Sequence, residues 1–328
     1  MARLILLAAV LLSIAGPAAA EKIKISVAAT NANFAQYFAA EDKGYFAAEG
    51  LDVTIVQLGG GTATPALIAG DLAYSGSPSS AMSAILRGAA LKSILVGQSK
   101  PIYELWSFDP AVKRFDDLKG KSVALAARGG TDELALRMVL KQRNLPPDFL
   151  LPVLVGSLSN VVAALISGQQ QNGIVTRTEK GLLAREGLLG RGRMIVNFHD
   201  EIVLQTGGLV TTAREIAEHR DRAKRVLRAV WKGTLYLMTQ RDGVTALLRQ
   251  RDPSLKDDIL IPDVEGGMAD VQRDGAMSMD AAARELAARA ELNGIAPDKV
   301  PSPERVFDFS VIREVIAEIE ASGWKPAP

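Results

Sequence analysis

The sequence contains no cysteine and only two histidines, His199 and His219, among 328 residues. The absence of cysteine excludes disulfides, thiol catalysis and cysteine-bound metals. It also excludes a lipid attached to a cysteine after a leader. A metal site built on imidazole would need both histidines, and neither has a glycine-flanked serine elbow as a catalytic partner. We therefore expect no metal, no cofactor and no catalysis.

An excess of charge of one sign is also missing. The chain has 38 Lys and Arg against 37 Asp and Glu, and aromatic residues make up only 5% of it. The first 20 residues hold one arginine, Arg3, and no acidic side chain, so the remainder is balanced. A balanced chain argues against nucleic acid and against an anionic membrane surface as partners.

Only one long apolar run is present, from Leu4 to Ile14, and it is followed by Gly16, Pro17 and three alanines at 18–20. The run is shorter than the roughly 20 residues that span a bilayer. Small residues after an apolar core are typical of a cleaved export signal. We therefore predict that residues 1–20 are a signal peptide and that the mature chain is a soluble protein of the periplasm without a lipid anchor.

Predicted strands alternate with predicted helices, which indicates an α/β fold with mostly parallel sheets. Residues 23–97 and 122–196 share the order strand, glycine-bearing turn, helix, strand, helix, strand, which predicts two similar lobes. The periodicity predicts one helix over 34–49, a short helix over 65–69 and one long helix over 214–240.

At this length two domains are expected. Crossings of the chain near 98–105 and 203–209 would form a two-stranded hinge, with Tyr103 and Trp106 in its packing. The predicted boundaries are 21–100 and 207–328 for the first lobe and 101–206 for the second. A cleft between two lobes is a preferred place for a small ligand.

Four segments resemble one family in the order in which they occur. Residues 41–53, EDKGYFAAEGLDV, match its "GyF…eGLdV" signature, and residues 66–73, 117–124 and 164–168 match three further pieces. The chain thereby resembles the NMT1/THI5-like group of periplasmic solute-binding proteins of ABC importers, which bind sulfonates, taurine, nitrate or thiamine precursors. The resemblance implies a type II periplasmic binding protein with two Rossmann-like lobes, a small-molecule solute, an ABC permease as partner and a monomer.

In that architecture the turns at the carboxyl ends of the strands line the cleft, where free N–H groups of helix N-termini favour anions. Glycines, hydroxyls, amides and arginines in these turns are candidate ligand contacts, although helix capping and core packing would also explain several of them. The candidates are Asn31, Asn33, Phe34, Gly61, Thr62, Ala63, Ser77, Ser79, Arg128, Gly130, Thr131, Thr176 and Arg177.

These turns together with Arg128 favour an organic anion, such as a sulfonate or an aromatic carboxylate. A neutral pyrimidine resembling a thiamine precursor is the alternative ligand. A free-standing periplasmic sensor is an alternative function. Some members of the group make a pyrimidine by sacrificing their own histidine and cysteines, and the absence of cysteine argues against that activity here.

Overall fold

The computed structural model describes residues 20–126 and 130–327, so the predicted signal peptide lies outside the described residues except for Ala20. The described residues form ten strands: β1 Glu21–Val27, β2 Leu51–Gln57, β3 Tyr74–Ser75, β4 Leu91–Gln98, β5 Tyr103–Ser107, β6 Ser122–Leu125, β7 Leu151–Leu154, β8 Asn172–Thr176, β9 Arg193–Asn197 and β10 Gly207–Thr212.

Helices cover the connections between the strands and most of the chain after β10. Their bounds are α1 Ala35–Asp42, α2 Tyr45–Ala48, α3 Gly60–Ala69, α4 Pro78–Leu86, α5 Thr131–Gln142, α6 Leu158–Ile166, α7 Arg177–Arg185, α8 Phe198–Glu201, α9 Ala213–Glu218, α10 Arg220–Thr239, α11 Arg241–Arg251, α12 Asp257–Asp270, α13 Met279–Leu292, α14 Pro303–Val306 and α15 Ser310–Ser322. Short 3₁₀ helices lie at Ala32–Phe34, Phe115–Leu118, Leu189–Arg191 and Pro297–Lys299. Among the described helices, none combines the length and the apolar character needed to cross a membrane.

The strands form two five-stranded sheets of matching design, which confirms the predicted fold class. The first sheet has the order β2-β1-β3-β10-β4 and the second β7-β6-β8-β5-β9. In the first sheet β1 is parallel to β2 and β3, whereas β10 is antiparallel to both of its neighbours. In the second sheet β6 is parallel to β7 and β8, whereas β5 is antiparallel to both of its neighbours. Each antiparallel strand is the one that follows a crossing between the sheets.

Each sheet has its own apolar core. The core of the first lobe draws on residues 23–96 and 209–319, including helices α10, α12, α13 and α15. The cores of the second lobe lie between residues 105 and 202. We use "first lobe" and "second lobe" for these two bodies. The domain boundaries at 100/101 and 206/207 stay a prediction.

The two chain crossings run side by side as a two-stranded hinge. The N–H of Leu204 donates to the carbonyl of Ser99 at 2.9 Å, and the N–H of Thr206 donates to the carbonyl of Gln98 at 3.0 Å. Because paired extended segments can bend without losing these bonds, such a hinge permits the lobes to move as bodies.

The structure divides two predicted helices. The predictions of one continuous helix over 34–49 and one over 214–240 were therefore wrong. The first stops at Asp42, because Gly44 adopts a left-handed conformation with φ of +70°, and resumes as α2. Apolar spacing continues across this break, and spacing alone does not reveal it. The second is interrupted at His219, whose φ of −131° and ψ of 40° are not helical.

Two further sequence predictions need correction. Helix α3 begins at Gly60 rather than at Pro65, so Pro65 lies inside the helix although proline favours its first position. Tyr103 and Trp106 do not pack in the hinge, because the chain has already crossed before Tyr103. Both belong to β5, which lies between β8 and β9 in the second sheet.

Candidate functional site

A cavity of about 440 Å³ lies between the two sheets, at the carboxyl ends of β1 and β8. Its walls come from the turn after β1, the first crossing, the starts of α6 and α7, and helix α12 with the residues before it. The lining residues are Ala28, Ala29, Thr30, Asn31, Asn33, Phe34, Ile102, Tyr103, Leu158, Thr176, Thr178, Glu179, Leu255, Ile259, Leu260 and Asp263. Its size and mixed lining are those of a small-ligand site.

The turn after β1 brings three predicted residues, Asn31, Asn33 and Phe34, to the cavity. The side chain of Asn31 accepts a hydrogen bond from the N–H of Asn33 at 3.1 Å and so caps the 3₁₀ helix that follows. Phe34 is only 8% exposed and belongs to the core of the first lobe. Capping and packing thus explain these residues structurally, and the same turn also borders the cavity.

The turn after β8 is stabilised by a capping box. The N–H of Thr176 donates to Oε2 of Glu179 at 3.2 Å, and the Thr176 hydroxyl contacts the same carboxylate oxygen. This bonding fixes the start of α7. Thr176 and Glu179 therefore line the cavity on a rigid element.

Arg177 is not among the lining residues of the cavity. Its Nη2 bonds Oδ2 of Asp270, at the end of α12 in the first lobe. The other oxygen of Asp270 lies 3.1 Å from Nδ1 of His199. The structure therefore accounts for Arg177 by a contact between the lobes.

The N-termini of α4 and α5 meet across the cleft. The hydroxyls of Ser79, in the first lobe, and Thr131, in the second, are 3.1 Å apart. Nη2 of Arg289 donates to the Ser79 hydroxyl at 2.7 Å, and Gly130 is the N-cap residue of α5. The hydroxyl of Ser77 is buried and has no hydrogen-bond partner. Two helix N-termini and a spare hydroxyl offer donors to an anion. Buried carboxylates offset part of the positive charge there, since Glu285 pairs with Arg289 and Asp132 and Glu133 lie in the first turn of α5.

Tyr103 connects this pair of helix N-termini with the cavity. Burial raises the pKa of its phenol, and the carboxylates of Asp132 and Glu179 raise it further, whereas the Thr131 hydroxyl and Arg289 lower it. The phenol belongs to a residue that lines the cavity, as Glu179 does. It stays protonated at neutral pH and can donate a hydrogen bond.

Asp263 approaches the cavity from α12. It accepts a hydrogen bond from the N–H of Ala32 at 2.9 Å. Burial is the main cause that raises the pKa of this carboxyl, and the charges of Glu179 and Asp270 raise it further. The hydrogen bond from Ala32 and the charge of Arg177 lower the pKa, but by less. Among the described lining residues, Asp263 and Glu179 are acidic and none is lysine or arginine.

The NMT1/THI5-like family model matches residues 31–243 of the chain. The chain belongs to the NMT1/THI5-like family. A search of curated protein sequences finds no match.

Solved structures of periplasmic binding proteins share the two-lobed fold of this NMT1/THI5-like chain. A putative sulfonate-binding protein SsuA of Methylobacillus flagellatus KT gives a TM-score of 0.75 at 15% identity, covering 94% of this chain and 98% of that one. The aliphatic sulphonate binding protein SsuA of Escherichia coli gives 0.71 at 16% identity, covering 88% and 92%. The nitrate-binding protein NrtA of Synechocystis PCC 6803 gives 0.68 at 15% identity, covering 93% and 91%. At these identities the likeness is one of fold.

Besides Arg177 and the candidates at the starts of α4 and α5, three more predicted contacts do not line the cavity, and a fourth lies outside the described residues. Gly61 and Thr62 are exposed in the first turn of α3, and Ala63 is buried in the core of the first lobe. Arg128 lies outside the described residues. Among the described residues, no three or more His, Asp or Glu side chains lie close enough together to hold a metal ion.

Several lining residues were not among the predicted contacts. Glu179 had a visible signal, the Thr176-x-x-Glu179 capping box, and Ile102 precedes the predicted hinge residue Tyr103. Asp263 had no local signal, because α12 reaches the cavity only through tertiary packing against α7 and α11.

The raised pKa of Asp263 predicts a pH-dependent effect on stability. A folded carboxyl whose pKa lies above its ordinary value of 3.8 binds its proton more tightly than the unfolded chain does, so stability falls as pH rises through this interval. We expect the free energy of unfolding of wild type minus that of Asp263→Asn to decrease from pH 3.5 towards neutrality. Urea denaturation of both proteins at several pH values measures it. A difference that does not change with pH would contradict the assignment.

Proposed function

We propose that this chain is an extracytoplasmic solute-binding protein of an ABC importer. It binds a small solute in the 440 Å³ cavity between its lobes and delivers it, unchanged and as a monomer, to a membrane permease. The observation that carries the proposal is this cavity at the carboxyl ends of β1 and β8, in a chain of the NMT1/THI5-like family. Sheets joined by a paired hinge suit a protein that closes around its solute.

A small organic anion is the solute that the N-termini of α4 and α5 support. The buried hydroxyl of Ser77 lacks a partner, and Ser79 and Thr131 present hydroxyls from opposite lobes. An anion that accepts from these groups would replace the direct contact between Ser79 and Thr131. Arg128, two residues before Gly130 in the sequence, is the counter-charge that we propose for it. The apolar side chains of Ile102, Leu158, Leu255 and Ile259 suit an organic rather than an inorganic ion.

A neutral nitrogen heterocycle is a second candidate, because Glu179 and Asp263 line the cavity. Carboxylate oxygens accept hydrogen bonds, and a ring N–H or an amino group would donate to them. An anion close to these two groups would be repelled unless Arg128 offsets their charge. The two candidates therefore place the polar end of the solute differently. An anion would contact the starts of α4 and α5, whose residues do not line the cavity, whereas a heterocycle would contact Glu179 and Asp263 in the cavity wall.

A thermal-shift panel on residues 21–328 tests the proposed function. The panel contains benzoate, benzenesulfonate, ethanesulfonate, nitrate and 4-aminopyrimidine at millimolar concentration. A solute at 100 times its Kd adds about 2.7 kcal/mol to the free energy of unfolding, which raises Tm measurably. We expect stabilisation by benzoate or benzenesulfonate. Stabilisation by 4-aminopyrimidine alone would favour the second candidate, and no stabilisation by any compound would contradict the proposed function.

A further inference from the structure

Asp270 ends helix α12 of the first lobe, yet its carboxylate is bonded by an arginine of the second lobe. The Asp270 side chain is 1% exposed. Nη2 of Arg177 bonds one of its oxygens. Nδ1 of His199 lies 3.1 Å from the other, without the geometry of a hydrogen bond. Arg177 begins α7 and His199 lies in α8, so both partners belong to the body that must move away from α12 when the cleft opens.

We propose that Arg177, Asp270 and His199 form a clasp that holds the lobes closed over the cavity and that its opening limits solute release. The role of the clasp in solute release rests on the proposed function. Its role in holding the lobes closed does not. Arg177 lies between Thr176 and Thr178, which both line the cavity, so the clasp closes at the rim of the site.

Burial distinguishes the clasp from other charge pairs between the lobes. Lys141 and Glu291 also join the lobes at 2.8 Å, but their side chains are 65% and 60% exposed. Exposed pairs of this kind contribute little, because water and salt screen them. Removing one member of a buried, hydrogen-bonded pair at an interface acts mainly on the rate of separation.

Helix α12 packs against α7 and leaves space for the side chain of Arg177. A Cβ added at Gly266 would lie 2.5 Å from Nε and 2.6 Å from Cζ of Arg177, so the glycine leaves space for the guanidinium. Further along, Gly181 of α7 faces Ile259 of α12. At the far end Arg185 and Asp258 form an exposed pair at 3.4 Å. The same two helices thus carry a buried pair at one end and an exposed control pair at the other.

The distance between the lobes in solution tests the clasp without any solute. Because the chain has no cysteine, Ala69→Cys in α3 and Ser159→Cys in α6, both at exposed positions, give two clean sites for spin labels. Double electron–electron resonance then reports the distribution of distances between the lobes. We expect a single short distance in the otherwise unchanged chain and an added longer distance in Asp270→Asn.

Gly266→Ala and Asp258→Asn make the test specific. Gly266→Ala displaces the Arg177 guanidinium while it keeps every charge and replaces a helical glycine with a better helix former, so we expect the longer distance here too. Asp258→Asn removes the exposed carboxylate of the same helix, and we expect the distribution to stay unchanged. The proposal is overturned if Asp270→Asn and Gly266→Ala keep the single short distance, or if Asp258→Asn opens the lobes equally.

A release experiment links the clasp to the function. For the panel compound that stabilises the protein most, stopped-flow displacement should show release from Asp270→Asn about tenfold or more faster, with the association rate within about threefold of wild type. Equal release rates would overturn the role in release. A failure of every compound to bind wild type would contradict the proposed function instead, and the spin-label distances would still decide whether the clasp closes the lobes.

Discussion

Replacing Arg289 with methionine should lower the free energy of unfolding by about 3–5 kcal/mol, which is the cost of leaving a buried charge without its partner. Arg289 is 3% exposed, and Glu285, one turn before it in α13, is fully buried. Nε of Arg289 donates to Glu285 at 2.9 Å, and the guanidinium also bonds Ser79 at the start of α4. The substitution therefore leaves Glu285 unpaired and removes a donor from the group beside the cleft.

A double substitution shows whether the unpaired charge causes the loss. Glu285 also accepts from the N–H of Gln205 at 2.9 Å, and glutamine keeps an acceptor for that bond. Arg289→Met with Glu285→Gln should recover more than half of the loss in urea denaturation. Arg249→Met is the matched control, because Arg249 pairs with Asp257 at the surface, where both are about half exposed, and we expect it to cost less than about 1 kcal/mol. Equal losses in the single and double variants would contradict this explanation.

Replacing Gly233 with alanine should lower the free energy of unfolding by about 3 kcal/mol, since overpacked sites cost roughly 1–3 kcal/mol and here the obstacle is backbone. Helix α10 crosses α1 at Gly233. A Cβ there would lie 2.0 Å from the carbonyl oxygen of Gln36 and 3.2 Å from the nitrogen of Ala40. Neither atom can rotate away, so the helices must separate.

Gly243→Ala provides the control for Gly233. A Cβ at Gly243 would lie 2.1 Å from the hydroxyl of Tyr236, which belongs to a side chain rather than to the backbone. Alanine is favoured over glycine inside a helix by about 1 kcal/mol, and we expect this gain to offset most of the strain. Thermal or urea denaturation compares the two variants. A Gly233→Ala protein as stable as wild type would show that α1 and α10 are not in close contact.

Local sequence patterns predict much of the fold. Alternating apolar residues in β1 and the glycines after helices predict the strand–helix order, and the repetition of that order predicts the two lobes. Breaks within helices are harder to predict, because the apolar spacing continues through Gly44 although helix α1 ends before it. The place of β5 was missed because Tyr103 and Trp106 were assigned to the hinge, whereas tertiary pairing with β8 and β9 makes them strand residues.

Part of the candidate site could also be predicted from local patterns, and part could not. The turns after β1 and β8 follow strands directly, so Asn31, Asn33, Phe34 and Thr176 were predicted beside the cavity in which the structure places them. Their role in binding stays a prediction. Asp263 could not be predicted, because α12 returns to the cavity from a distant part of the sequence. For the same reason the sequence gives no indication that Asp270 engages Arg177.

Isothermal titration of a variant with a filled cavity tests the central claim that the solute binds between the lobes. Ala29 lines the cavity, so Ala29→Trp should reduce the affinity for the best compound of the panel by at least about 100-fold. Ala321→Trp, at an exposed position of α15, controls for the added ring and should bind as wild type does. Unchanged affinity in a folded Ala29→Trp protein would contradict the account, because the solute would then bind elsewhere.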